Sequence, residues 1–195
     1  MIIGVTGGIA SGKSVVCKIL EKYGFEYIDA DAVGHEVLKD PKVIEKITHV
    51  FGMEILSENV DHNDTVIIDR TKLGKIVFAD NEKMNLLENI THPEISRQIK
   101  GIIKENDKKN YVIEAIEIIN SGLVKICDEL WIVKADPEIQ LRRLMENRHM
   151  SFEDAFARLN SQKDHDWDEA SADRIINSSG SFELVEEQIR TALNI

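Results

Sequence analysis

The chain has 195 residues, 43% of them apolar and 30% charged, enough for one domain with a sizeable core and a small insertion. No apolar run approaches the ~20 residues of a membrane span, and a formal net charge of −11 argues against nucleic acid as the main partner, since phosphate backbones need a basic face. The opening "MIIGVTG" shows neither the basic region nor the cleavage site of an export signal, so a cytoplasmic protein is expected.

In chain order, "MIIGVTG" is a short apolar run closed by glycine and predicts a buried strand. "KSVVCKILEKYG" carries Val15, Ile19 and Leu20 at helical spacing, with Gly24 as a stop. "FEYIDAD" predicts a second strand. From about residue 32 to 105 the pattern is mostly helical with few strand candidates. This stretch is expected to be a helical insertion in which Pro93 opens a helix from its first turn. "YVIEAI" and "ELWIVKA" predict two more strands. Asp136 is expected to cap a helix whose first residue is Pro137, and Ser151 to cap another over "SFEDAFARLNSQ". "DRIINSSGS" reads as a last strand and turn, and "SFELVEEQIRTAL" as a closing amphipathic helix. Strands alternating with helices predict an α/β fold, a parallel sheet covered by helices on both faces, with ligands at the carboxyl ends of the strands.

Cys17 and Cys127 are the only cysteines, too few for a disulfide framework or a metal cluster, and both read as small core residues. Arg142, Arg143, Arg148 and Arg158 are half of the eight arginines, and Lys163 follows them. In an acidic chain such a cluster suggests an anion site or, more plainly, a solvated helix face.

"VTGGIASGKSV" contains G-x-x-x-x-G-K-[ST] from Gly7 to Ser14, between a predicted strand and a predicted helix. That placement is what phosphate binding needs. Glycines let successive N–H groups turn inward, and the helix start adds its partial positive charge. Lys13 can reach the β- and γ-phosphates, and Ser14 can offer its hydroxyl to Mg²⁺. Gly8, Ala10, Ser11, Gly12, Lys13, Ser14 and Val15 are therefore the candidate ATP contacts.

Such a loop serves kinases, nucleotide switches and non-catalytic nucleotide-binding subunits. "DAVG" at Asp31 to Gly34 matches the D-x-x-G of a GTPase switch. It follows Ser14 by only 17 residues, however, room for one helix and one strand, and no guanine-reading N-K-x-D occurs. A kinase accounts better for "YIDAD". Asp29 reads as a turn or cap, whereas Asp31 reads as the carboxylate that accepts the proton of an acceptor hydroxyl. Nothing in the residues excludes a non-catalytic subunit.

Taken together, these motifs resemble the dephospho-CoA kinase family over nearly the full length. "IIGVTGGIASGKS" resembles its opening and "YIDADAVGHEV" its D-A-D segment, with Asp31 as the base. "LGKIVFAD" followed by "ITHPEI" resembles its acceptor-side helices, with His92 and Pro93 as a His-Pro pair. "CDELWIV", "PEIQLRRLM", "SFEDAFARLNSQ" and "ADRIINSSGS" follow in the family's order. The resemblance implies a P-loop kinase that moves a phosphoryl group from ATP to the ribose 3′-hydroxyl of dephospho-CoA, with Mg²⁺ as cofactor, in the last step of coenzyme A synthesis. Another small hydroxyl acceptor, such as a nucleoside or nucleotide, is the alternative. The resemblance further implies an adenine-side loop at Asn177, a lid over about 142–167 with Arg148 acting at the phosphates, and acceptor contacts from His35, His92 and Arg158. It leaves the assembly as a monomer or small homo-oligomer. The chain departs from the family pattern at Val15, where threonine is usual. On the acceptor strand Glu114, Ile116 and Asn120 stand for aspartate, proline and glutamate, so Glu114 takes the metal position beside Ser14. Near the lid the usual arginine falls at Asn147, with Arg148 one place later.

Overall fold

A computed structural model describes residues 1–60, 66–161 and 169–195. The elements are β1 (Ile2–Thr6), α1 (Lys13–Lys22), β2 (Phe25–Asp29), α2 (Ala30–Val37), α3 (Pro41–Phe51), β3 (Leu56–Val60), β4 (Val66–Ile68), α4 (Arg70–Val77) and α5 (Asn81–Glu105). There follow β5 (Asn110–Glu114), β6 (Glu129–Lys134), α6 (Pro137–Arg148), α7 (Phe152–Asn160), β7 (Arg174–Asn177) and α8 (Phe182–Leu193). The chain separates into two units, Met1–Asp29 with Asn106–Ile195, and Ala30–Glu105.

The first unit is a five-stranded sheet in the order β2-β5-β1-β6-β7, parallel throughout. Its strands are the apolar runs of the sequence, because a parallel sheet covered by helices buries both strand faces. Ile3 and Val5 of β1, Val112 of β5 and Trp131 and Val133 of β6 pack on α1 through Val16, Cys17, Ile19 and Leu20, and on α8 through Val185 and Ile189. Gly4 faces the other way, against Ile118 and Cys127 of the segment after β5. α6 and α7 share a smaller core in which Leu144 and Ala155 close over Ile9. The register sets Glu114 beside Val5 on one side and Asp29 on the other, so the three lie at the carboxyl edge of adjacent strands.

The second unit is built on Val37, Val43, Ile44, Ile47, Phe51, Ile55, Ile68, Leu73 and Val77. Asp40 caps α3 by accepting from the N–H of Lys42, with Pro41 in the first turn, and Asp69 caps α4 through the N–H groups of Thr71 and Lys72. Three details differ from the sequence-based expectation. The unit contains an antiparallel hairpin, β3–β4, with Leu56 opposite Ile68. Its strands are too short and polar to show an alternating pattern. Pro93 lies inside α5 rather than in a first turn. The helix runs on through it because Leu87, Ile90, Ile95 and Ile99, on either side, are packed or buried along its length. Thirdly, Asp136 occupies the N-cap of α6 but its side chain caps nothing among the described residues; its N–H instead donates to Ser179 Oγ, 2.8 Å away.

Candidate active site

The turn from β1 into α1 is a loop whose backbone polarity is sorted. Its carbonyls are taken up one after another. Lys13 Nζ donates to the oxygens of Gly7 and Gly8 (2.8 and 3.0 Å), and Gln140 Nε2 to that of Ile9 (2.8 Å). Arg143 Nη1 donates to Ala10 O (3.1 Å), and Ser178 Oγ to Ser11 O. The N–H groups of Gly8, Ala10 and Gly12 meet no acceptor among the described residues. They precede the first turn of α1, where the N–H groups of Val15 and Val16 already donate to Gly12 O. The loop thus presents donors and a helix start in one place, the arrangement that holds phosphate oxygens.

Two glycines make this path possible. Gly7 has φ +147°, and a Cβ there would lie 2.2 Å from the carbonyl oxygen of Val133. Gly12 has φ +95°, and its Cβ would lie 2.6 Å from Ser178 Oγ. Ala10, at φ +54°, takes the left-handed conformation without being glycine, a cost the surrounding contacts must offset. Lys13 is only 9% exposed, and Ser11 Oγ is buried with no partner among the described residues.

Arg143, which the sequence marks only as one of an arginine cluster, forms a clamp with Ser178. Besides Ala10 O, Arg143 reaches Ser178 Oγ (3.0 Å, from Nη1) and Ser178 O (2.5 Å, from Nη2). Partial burial, and then the neighbouring Arg142, push its guanidinium below the usual arginine range. Asn177, the expected adenine-side residue, ends β7. It is held by Gln188 at its N–H and carbonyl, and its Oδ1 accepts from the N–H of Ser179.

A second cluster sits beside the loop. Ser14 Oγ donates to Glu114 Oε1 (3.3 Å), and Tyr27 OH donates to Glu114 Oε2 (2.8 Å). Cys17 lies next to this carboxylate. Burial, and then the Glu114 charge, hold its thiol well above the usual range, so it stays protonated; burial, and then the hydrogen bond to Glu114, raise the Tyr27 phenol. Burial, with Asp128 adding to it, pushes the Cys127 thiol up to about 12. Both cysteines are free, as expected, though Cys127 is only partly buried.

Val15 is exposed at 36% and only its backbone joins the loop, donating to Gly12 O. Arg148 is the last residue of α6 and Arg158 lies in the last turn of α7. Both are exposed, and neither guanidinium hydrogen-bonds among the described residues. The rest of the expected lid, including Lys163, lies outside the described residues. In the second unit, Asp31 is in the first turn of α2, and His35 follows one turn later on the same face. Arg70 Nη2 lies 2.6 Å from His35 Nε2. A guanidinium only donates, so in this contact the ring nitrogen is the acceptor. His92 is half-buried on α5. No group of three or more His, Cys, Asp or Glu among the described residues is placed to hold a metal by itself.

The family model described as CoaE: Dephospho-CoA kinase matches residues 1–183. A dephospho-CoA kinase of Carboxydothermus hydrogenoformans is 40% identical over 196 residues, 98% of this chain and 92% of its own length. One from Dehalococcoides mccartyi is 36% identical over 185 residues, 93% of this chain and 90% of its own. Among solved structures, TT1252 from Thermus thermophilus matches with a TM-score of 0.79 at 27% identity, over 100% of this chain and 96% of that one. The dephospho-CoA kinase from Campylobacter jejuni matches at 0.60 and 29%, over 99% and 95%. A shikimate kinase from Bacteroides thetaiotaomicron, 13% identical with a TM-score of 0.56 over 100% and 99%, shares the fold alone. The loop geometry, the sheet order and these relatives agree, and the chain belongs to the dephospho-CoA kinase family.

Proposed function

We propose that this kinase transfers the γ-phosphoryl group of ATP to the ribose 3′-hydroxyl of dephospho-CoA, giving CoA and ADP. The observation that carries the phosphoryl-transfer half is the sorted backbone of residues 7–12, with carbonyls tied back and N–H groups left to face phosphate oxygens. The acceptor half rests on the family.

In the proposed reaction Lys13 leaves the carbonyls of Gly7 and Gly8 for the β- and γ-phosphates, and Asn177 borders the adenine. Asp31 accepts the proton of the ribose hydroxyl while that oxygen bonds to the γ-phosphorus and the bond from phosphorus to the β,γ-bridging oxygen breaks. The bridging oxygen leaves with ADP. Residues 32–105 are the acceptor-side insertion in this reading, with His35 and His92 as acceptor contacts. Residues 142–167 are the lid, in which Arg148 meets the phosphates and Arg158 the acceptor.

Mg²⁺ fits the donor set beside the loop. Cis oxygens of an octahedral magnesium at 2.0–2.1 Å stand about 2.9 Å apart, and Ser14 Oγ and Glu114 Oε1 are 3.3 Å apart. A hydroxyl and one carboxylate, completed by phosphates and water, suit this cation without an all-protein cage. Once bound, it would neutralise charge on the β- and γ-phosphates. The reaction is placed in the cytoplasm, where ATP is supplied, in a monomer or small homo-oligomer with no role for nucleic acid. No described helix is long and apolar enough to cross a membrane.

The test is ADP release across a panel of acceptors. Dephospho-CoA should drive it far faster than adenosine, AMP or a pantetheine compound without the nucleotide, and mass spectrometry should show a product heavier by one phosphate. Rapid turnover of AMP or a nucleoside, with none of dephospho-CoA, would leave the kinase chemistry standing and reject the acceptor.

A further inference from the structure

Glu114 carries a mechanical problem. A glutamate has one more rotatable bond than an aspartate, and at the end of a strand its carboxylate can swing between several rotamers. The half-exposed Glu114 must nonetheless keep one oxygen beside Ser14. The sheet register supplies a restraint. Asp29 of β2 pairs with Glu114 of β5, and Tyr27 pairs with Val112, so Tyr27 lies two residues earlier on the neighbouring strand and on the same sheet face as Glu114. That face is the one α1 covers, because Val112 and Phe25 belong to its core. From this diagonal position a phenol is long enough to reach the carboxylate, and its hydroxyl donates to Oε2 at 2.8 Å. The other oxygen, Oε1, is left to Ser14.

We propose that Tyr27 is the positioning residue of the metal-side carboxylate: by holding Oε2 it turns Oε1 toward the Ser14 hydroxyl and removes the freedom that the longer side chain brings. The proposal rests on the reading of Ser14 and Glu114 as the Mg²⁺ side of the site. Tyr27 itself touches neither nucleotide nor ion. β2 is an edge strand, and Tyr27 is 38% exposed, so the phenol contributes no large part of the core. A polar role explains its place on this face better than packing does.

The experiment measures ATP binding by calorimetry at graded Mg²⁺ for the wild type, Tyr27→Phe, Glu114→Gln, Glu114→Asp and the Tyr27→Phe/Glu114→Asp double variant. Melting temperatures confirm that each is folded. Losing one hydrogen bond to a charged group should raise the Mg²⁺ concentration for half-maximal ATP binding by about tenfold in Tyr27→Phe. ATP affinity without Mg²⁺ should stay as in the wild type. A shorter carboxylate at 114 is beyond the phenol's reach, so removing the hydroxyl in the Glu114→Asp background should add nothing. If Glu114→Gln shifts the Mg²⁺ dependence and Tyr27→Phe does not, the positioning role is overturned and the metal reading survives. If Tyr27→Phe acts equally in both backgrounds, the phenol works by another route and the proposal fails. If Glu114→Gln leaves the Mg²⁺ dependence unchanged, the metal reading fails and takes this one with it.

Discussion

Asp31 and His35 share a face of α2, and Arg70 donates to the histidine, so a carboxylate, an imidazole and a guanidinium gather in the second unit. If Asp31 is the base, Asp31→Asn keeps the side chain's shape and removes only the proton acceptor. Turnover should fall by about 10²–10⁴ while ATP affinity stays nearly unchanged. Single-turnover kinetics beside calorimetry checks this, and near-normal turnover would reduce Asp31 to a helix-start residue. Lys13 and Ser14 are legible in the sequence because their chemistry is written within eight residues of chain. Arg143, Ser178, Tyr27 and Arg70 are not. Their roles are contacts across 133, 167, 87 and 35 residues, and no local pattern announces them. The members of the arginine cluster differ in their surroundings. Arg143 braces the loop, while Arg148 and Arg158 stay exposed on α6 and α7.

At the scale of elements, the phosphate loop is shaped from outside itself. α6 contributes Gln140 and Arg143, and the turn after β7 contributes Ser178. The turn that follows Asn177 and the loop proposed for phosphate are therefore one hydrogen-bonded body. Ser178→Ala removes the donor to Ser11 O and one acceptor of Arg143. Arg143→Lys replaces a planar fork by a single point charge that cannot serve Ala10 O and both oxygens of Ser178 together. Each change should weaken ATP binding by about three- to tenfold, the effect of losing one or two partly buried hydrogen bonds. Calorimetry with ATP decides it, and unchanged affinity in both variants would show that the loop holds its path without the clamp. Gly12 belongs to the same body, since Ser178 Oγ occupies the space a side chain there would need.

For the whole molecule, the closing helix is tied back to the first. Glu186 of α8 accepts from Lys22 Nζ (2.5 Å) and Tyr23 OH (2.7 Å) at the end of α1. These two hydrogen bonds hold its carboxyl below the usual glutamate range. A folded-state value below the unfolded one stabilises the protein fully above the unfolded glutamate's pKa of about 4.3. That contribution is lost as the pH falls through the depressed value. The Glu186→Gln protein should therefore melt below the wild type at pH 7, and the gap should close on acidification below about pH 4. Melting curves from pH 7 to 3 test it, and a gap that stays constant with pH would assign the effect to packing instead.

By itself the sequence determined the α/β class, the strands and helices of the parallel sheet, the phosphate loop and the family. Each of these is encoded by short-range periodicity, by glycine and lysine at fixed spacing, or by motif order along the chain. Only the tertiary structure decided the sheet order, which sets Glu114 between Val5 and Asp29, and the partners that restrain the loop and the carboxylate. It also decided that α5 runs unbroken through Pro93 and that Leu56 and Ile68 meet in a hairpin. The physical reason is the same in each case. Local propensity acts within a turn or a strand, whereas a packed core or a hydrogen bond between distant residues exists only once the chain has folded, and it can outweigh a local preference worth about 1–3 kcal/mol.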